Sequence, residues 1–358
     1  MASQPILSNS GRIPSLDGLR ALSTTCVVLS HLAEMGSIPG RDVLHRLFGD
    51  LGNLGVRIFF VISGYLITRL MIEEQRKAGT VNLRAFYIRR AFRILPPCYA
   101  FLAVLLATSL IRARDLIPAL TYTANYPLRV YPFWIQHLWS LSVEEQFYLV
   151  WPVVFVLLGV AFATRVSWLC LIAVPVIRLA VYAFAPRWYA YSINHTFETT
   201  CDALATGCLL ALIHEQLLRR HWYADLLFSR GAYFLPVGIA LISGFCVHPR
   251  FAYFIGYSLL NVLIALCIHR AILRPQGMGG SLLNWPPIAY IGVLSYSLYL
   301  WQQVFIYRGA IFPLHVLGAV AVAMVSHYLI EKPALQVRNW VMRLACAPRG
   351  KLVTVAGD

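Results

Sequence analysis

Apolar stretches about 17 to 25 residues long, enough for a helix to cross roughly 30 Å of hydrocarbon, recur ten times along the chain. They centre on residues 15–35, 52–72, 94–111, 138–160, 166–184, 199–217, 232–247, 253–270, 286–306 and 311–330. Short polar segments separate them, and no internal repeat or interrupted span is visible. The pattern predicts an all-α polytopic membrane protein, a bundle of about ten transmembrane helices. One membrane domain would cover 13–332, between tails at 1–12 and 333–358. The first window breaks the apolar rule: Asp17, Arg20, Thr24, His31 and Glu34 follow one another at intervals of 3, 4, 7 and 3 residues. At 3.6 residues per turn they share one side of a helix. A charge in the bilayer core costs about 3 kcal/mol, so such a stripe faces a cavity or a partner. Asp17 and Arg20 also fit a second reading, as caps at the membrane surface. His31 lies eleven residues beyond Arg20, ~16 Å along the axis and at nearly the same azimuth.

Composition and charge sharpen the class. The 358 residues are 59% hydrophobic and 13% charged, which excludes an ordinary soluble domain. Lys and Arg number 30 against 15 acidic residues. With the N-terminus inside, inner segments hold 18 of the basic residues and outer loops 8, so both termini are expected to be cytoplasmic. The net charge of +15 is then a topology signal and a contact with anionic lipid. Dispersed over short loops, it predicts no nucleic-acid partner. Residues 1–12 lack the apolar core of a signal peptide, and the first span is expected to stay as an anchor. Seven of the eight cysteines lie in or beside spans without metal or disulfide spacing, and read as small apolar residues.

Candidate chemistry lies in three blocks. Arg84, Arg89, Arg90 and Arg93 precede Ile94-Leu95-Pro96-Pro97 on the inner side. Arg90 and Arg93, three apart on a helix, could grip one anionic group between two guanidinium forks. They could equally be a positive-inside signal or a lipid-headgroup contact; the ligand alternative is a phosphate-rich cytosolic molecule such as coenzyme A. The second block, His137 to Tyr148, opens the fourth span from outside and puts Glu144 at the depth of His31. A carboxylate near a histidine can fix its tautomer and stabilise the imidazolium formed when it takes a proton. Glu144 and Glu145 are about 100° apart on a helix, and the residues alone do not choose between them. The third block, Phe59 to Ile67, carries Ser63 and Gly64, which read as a close-packing surface. His137, His195 and His248 fall in outer loops, His45 in a loop, and His214, His221 and His269 near inner span ends. These are expected to be mostly solvated or interfacial, and no set has the spacing of a metal site. Trp134, Trp139, Tyr189 and Trp285 read as interface anchors.

Ile13-Pro14-Ser15-Leu16-Asp17-Gly18-Leu19-Arg20-Ala21 with His31, the Phe59 to Ile67 block, Arg90 and Arg93 before Ile94-Leu95-Pro96, the Trp139 to Tyr148 block and Tyr296 to Trp301 together resemble the integral-membrane acyltransferase-3 family. The resemblance runs over nearly the whole chain. It implies transfer of an acyl group, usually acetyl from acetyl-CoA, to hydroxyls of surface glycans, lipid-linked sugars or some antibiotics, in the bacterial cytoplasmic membrane. Acyl-CoA is expected as a substrate, with no resident cofactor. Some members add a soluble hydrolase-like domain, for which 358 residues leave no room. By position, the resemblance makes His31 the essential histidine and Arg20 part of its site. Arg90 and Arg93 become the basic pair near the acyl donor. Within the Ser-Leu-Ser-Val-Glu block, Glu144 is the recurrent acid and Ser142 a supporting residue; Glu331 is structural. His31 would take the acceptor's proton with support from Glu144, or carry the acyl group itself.

Two departures qualify the match. Thr200 stands where the family commonly has arginine, so Asp202, a further supporting residue with Asp17, is expected to lack an arginine partner. Gln302 stands where histidine is frequent; it can position but cannot accept a proton at neutral pH, which leaves the base role to His31. Two other readings remain: an acyltransferase for a diffusible acceptor such as a macrolide, and a secondary transporter using the polar stripe as its path.

Overall fold

The computed structural model describes residues 13, 15–35, 50–126, 131–190, 192–306 and 313–345. The tail at 1–12, residues 346–358 of the other tail, and the loop holding His45 lie outside the described residues. The described chain is helical and contains no strand. Its main elements are α1 (Leu16–Glu34), α2 (Leu51–Ala78), α3 (Leu83–Ala107), α4 (Leu138–Phe184), α5 (Phe197–Leu212), α6 (Leu235–Phe245), α7 (Tyr257–Leu273), α8 (Met278–Leu283), α9 (Pro286–Phe305), α10 (Leu314–Ser326) and α11 (Lys332–Ala345). A helix lies at each of the ten apolar windows. By length and composition, 5 stretches of the described chain can cross a membrane, one of them running through both halves of α4. A bent pair, His221–Phe228 with Arg230–Phe245, raises the number to 6. The two helices of that pair meet at 60°, a bend that periodicity did not reveal.

Local chemistry sets the helix ends. The Asp50 carboxylate accepts from Asn53 N (2.9 Å) at the start of α2, and Asn82 Oδ1 from Ala85 N (2.9 Å) at the start of α3; both satisfy N–H groups that have no partner within the helix. The basic segment 84–93 and the third apolar window are one helix, α3. At the far end of the chain, residues 333–345 of the expected tail form most of an amphipathic helix packed along α3.

α4 has 47 residues and would be ~70 Å long if straight. It reverses. Glu144 is bonded to Ser63 of α2, and Trp151 Nε1 donates to Thr68 Oγ1 further along α2 (2.8 Å). Arg178 then shares Asp202 with Arg57, six residues before Ser63. In a straight helix Arg178 would lie ~51 Å from Glu144, so the chain must double back. It does so at Gly159, whose φ of 75° and ψ of 172° are open to glycine.

The centre of the bundle is α1 and α5 against α2, with α4 on α5 and α9 on α1. Gly64 and Gly207 bring α2 and α5 into backbone contact. A Cβ on Gly64 would lie 2.0 Å from Leu204 O, and one on Gly207 2.1 Å from Val61 O. Small residues admit such close approach in membrane bundles.

Candidate functional site

The stripe on α1 faces a polar path between α1, α3, α4 and α9, in three levels. The level nearest the start of α1 is basic. Arg20 Nη1 donates to Asp17 Oδ1 at 3.2 Å and lies within electrostatic reach of Arg90, Arg93 and Tyr148. Arg93 Nη1 is 3.7 Å from Glu331 Oε1. Glu331 is buried and also accepts from Ser297 Oγ (3.1 Å). The Arg90 guanidinium sits 4.5 Å over the Tyr148 ring, with no carboxylate in ion-pair distance among the described residues. Arg338 of α11 lies within electrostatic reach of Arg93 and Arg89, while Arg89 itself turns to Glu74 (3.0 Å). Three partly accessible arginines therefore meet with carboxylates on two of them, a surplus of positive charge that suits a polyanionic ligand.

The middle level holds Glu144, which accepts from the hydroxyls of Ser63 and Tyr148. It borders a narrow cavity of about 30 Å³ that also touches Ser23, Thr24, Tyr296 and Tyr299. Tyr148 is thus shared: its ring carries Arg90 and its hydroxyl holds Glu144. Glu145 points elsewhere, with an enclosed Oε1 that has no hydrogen-bond partner. Near the proline pair of α3, which withdraws two N–H donors from the helix ladder, Tyr296 donates to Ile94 O at 2.8 Å.

The level nearest the end of α1 is a vestibule of about 640 Å³. His31 lines it, with Nδ1 3.3 Å from Gln302 Oε1. An Nδ1–H donated to this oxygen leaves Nε2 as the free lone pair. Glu34, Asp50, Asn53 and Trp139 contribute to the wall, as does His195, whose pKa burial lowers from its ordinary 6.5 while Asp50 opposes the shift. The vestibule and the Glu144 cavity share Val27, Val56, Ser140 and Tyr299 as walls. The Tyr299 hydroxyl stands between them, bonded to Ser140 Oγ (2.7 Å) and to the His137 carbonyl.

His31 lines the vestibule and Glu144 the cavity beside it; Gln302 is buried behind His31, and Asp17, Arg20, Arg90 and Arg93 make up the basic level. His31 and Glu144 are not bonded to each other. Gln302 instead holds the histidine, because α9, not α4, is the main neighbour of that face of α1. Ser142 is buried against its own helix, its Oγ donating to Leu138 O (3.0 Å), and lines neither cavity. Asp202 lies in a separate buried cluster. There it does have an arginine partner: Arg178 donates Nη1 to Oδ1 at 3.3 Å and Nη2 to Oδ2 at 2.9 Å, and Ser258 Oγ adds a bond at 3.0 Å. Arg57 Nη1 stands 3.9 Å from Oδ1 and donates to Asn261 Oδ1 at 3.2 Å. The partner comes from the second half of α4, so Thr200 leaves no gap.

Three histidines expected at solvent or interface are enclosed. His137 has Nδ1 on the Gln303 carboxamide, Nε2 without a partner, and a place on the vestibule wall. His269 is buried with Nε2 2.8 Å from His214 Nδ1 and Nδ1 2.6 Å from Tyr223 Oη. Trp139 packs on Phe60 and His195 instead of lipid headgroups. His137 is two residues before Trp139, inside a block already singled out, but a turn at a span entrance gives no sign in sequence of which way its side chain points. Among the described residues no group of three His, Cys, Asp or Glu side chains is placed to hold a metal ion.

A family model described as an acyltransferase domain matches residues 13–330. A protein of Staphylococcus aureus (strain COL), named as a proposed O-acetyltransferase, is 31% identical over 326 residues, covering 81% of this chain and 50% of its own. The O-acetyltransferase OatA of Staphylococcus aureus (strain NCTC 8325 / PS 47) is 29% identical over the same length and shares. YrhL of Bacillus subtilis (strain 168), named as a proposed peptidoglycan O-acetyltransferase, is 28% identical over 361 residues, covering 90% of this chain and 54% of its own. The chain spans about half the length of the curated relatives it matches. No solved structure matches it.

Proposed function

The chain belongs to the acyltransferase-3 family, and from that premise we propose that it is a membrane O-acyltransferase. It moves an acetyl group from cytoplasmic acetyl-CoA to a hydroxyl of a surface glycan or lipid-linked sugar. Residues 13–332 form the membrane domain of about ten spans, with both ends of the chain in the cytoplasm of a bacterial inner membrane. The observation that carries the reading is a chain of contacts: the vestibule of His31 shares walls with the Glu144 cavity, and Tyr148 links Glu144 to Arg90 of the basic cluster.

In this reading Arg90, Arg93 and Arg20 hold the phosphates of the donor. The ~16 Å from Arg20 to His31 is bridged by the extended pantetheine arm, which brings the thioester past Tyr148 and Tyr299. Glu144 acts as a positioning residue, holding Tyr148 beneath Arg90. Gln302 orients His31. Nε2 takes the proton of the acceptor hydroxyl as its oxygen attacks the thioester carbon; the C–S bond breaks, and the imidazolium returns the proton to the departing thiolate. An ester and free coenzyme A leave. General-base catalysis contributes about 10² to 10⁴-fold, so His31→Ala should lower transfer of label from radiolabelled acetyl-CoA to glycan fragments by that factor, at normal membrane expression. Full transfer by His31→Ala would refute the base role. A burst of label held on the protein at His31 would replace direct transfer by an acyl-histidine.

The aromatic and amide walls of the vestibule, among them Trp139, Asn53 and Gln303, favour a sugar as acceptor, since pyranose rings offer apolar faces and hydroxyl edges together. A macrolide supplied in place of the glycan should accept no label.

A further inference from the structure

A second large cavity lies on the opposite face of α1. Leu19, Leu22, Cys26 and Leu29, spaced 3, 4 and 3 residues apart, line one wall of an apolar crevice of about 510 Å³ closed by α2, α6, α7 and α8. Among the described residues its only charged lining residues are Arg270 and Arg274, both at one end. Arg270 Nη1 donates to the carbonyls of Leu227 and, at 3.3 Å, Ser229, and its guanidinium lies 4.4 Å over the Tyr233 ring. Arg274 Nη1 donates to Phe228 O at 3.2 Å. Carbonyls aim these groups without neutralising them, and among the described residues no carboxylate lies within ion-pair distance of either. The crevice therefore pairs a hydrocarbon slot with two uncompensated positive charges.

Its depth identifies the occupant. Ser15 Oγ donates to Ala271 O (3.0 Å), so the arginines lie level with the first turn of α1, on the side where the basic segments lie. From Arg274 to Ile264 on α7, and from Leu19 to Leu29 on α1, the walls run ten residues, ~15 Å. That is half of the roughly 30 Å hydrocarbon core, one leaflet. We propose that the crevice binds a single anionic glycerophospholipid of the inner leaflet, its acyl chains along α1 and α7 and its phosphate against Arg270 and Arg274. Guanidinium forks match phosphate oxygens bidentately, and a basic residue at the membrane surface strengthens anionic lipid binding about fivefold. One side of α1 thus borders the polar path and the other the lipid, which fixes the position of the helix that carries His31. The proposal is independent of acyl transfer.

The full chain, purified in mild detergent, would be titrated with phosphatidylglycerol or chain-matched phosphatidylcholine and the bound lipid counted by native mass spectrometry. We expect phosphatidylglycerol to bind at least about tenfold more tightly than phosphatidylcholine. The variant Arg270→Gln/Arg274→Gln should erase that preference, and so in part should Arg274→Gln alone, at an exposed position. Ala240→Phe, which narrows the slot without touching charge, should weaken both lipids. Equal binding of the two lipids by the wild type, an unchanged preference in the arginine variants, or unchanged lipid binding by Ala240→Phe would overturn the proposal. So would displacement by soluble glycerol phosphate, which would show a site for the phosphate alone.

Discussion

Two groups of arginines in this bundle differ in how fully the protein itself answers them. Arg57 and Arg178 are 2% and 0% exposed and converge on Asp202, also 0% exposed, with Ser258, Asn261 and the Tyr257 ring completing the cluster. Arg20, Arg90 and Arg93 meet at an accessible end of the path, with Asp17 and Glu331 on two of them and an aromatic ring beneath the third. A guanidinium enclosed beside a buried carboxylate, even with one Nη of Arg57 left without a partner, can do little but hold helices together. One left with unused donors beside other cations raises its own energy until an anion arrives, and that is the property of a binding site. The first group ties α2, α4, α5 and α7; the second is open to a ligand.

The largest effect should come from removing the shared counter-charge of the closed group. Asp202→Ala leaves two buried guanidinium groups unpaired, and breaking a buried pair in this way costs about 3–5 kcal/mol. Thermal unfolding of the detergent-solubilised protein should show a large loss of stability, and the acetyl-CoA dependence of whatever folded protein remains should not move. Wild-type stability in Asp202→Ala would erase the distinction between the groups.

The open group should respond in the opposite way. Hydrogen bonds to charged groups are worth about 1.5–3 kcal/mol, so Arg90→Gln or Arg93→Gln should raise the KM for acetyl-CoA by roughly tenfold or more. The melting temperature should change little, because neither side chain is enclosed. Glu144→Gln, one step removed, should raise the same KM less through the loosened Tyr148. A fall in stability matching that of Asp202→Ala, with an unchanged KM, would put Arg90 and Arg93 in the structural class.

The contrast also shows what the chain's pattern could reveal. Intervals along one helix are local, so the wet face of α1, the doublet of Arg90 and Arg93 and the packing role of Gly64 were all legible from spacing. Contacts between distant helices were not. Asp202 finds Arg178 because α4 doubles back at Gly159, a reversal that no local interval encodes. Gln302 takes the place beside His31 expected for Glu144, since equal depth in the membrane does not fix which helices are neighbours. The amphipathic helix after Lys332 was hidden by its polarity, which resembles that of a tail until α3 is there to cover its apolar face.

The smallest effect should come from Gln302, whose contact with His31 is a single neutral hydrogen bond of 3.3 Å. Such a bond is worth about 1 kcal/mol, so Gln302→Leu should lower kcat roughly fivefold and leave the KM for acetyl-CoA unchanged, because the proposed phosphate site lies at the far end of the path. Gln302 is fully buried, and leucine has a similar volume, so stability should fall little. Gln302→Asn, which keeps the carboxamide but withdraws it by one methylene, should lose activity in the same way. Gln302→His restores a ring nitrogen as acceptor and should recover part of kcat. If all three variants turn over at the wild-type rate, the tautomer of His31 is not set by Gln302, and the proton-accepting nitrogen has to be sought on the other side of the vestibule, where His137 keeps an unpaired Nε2.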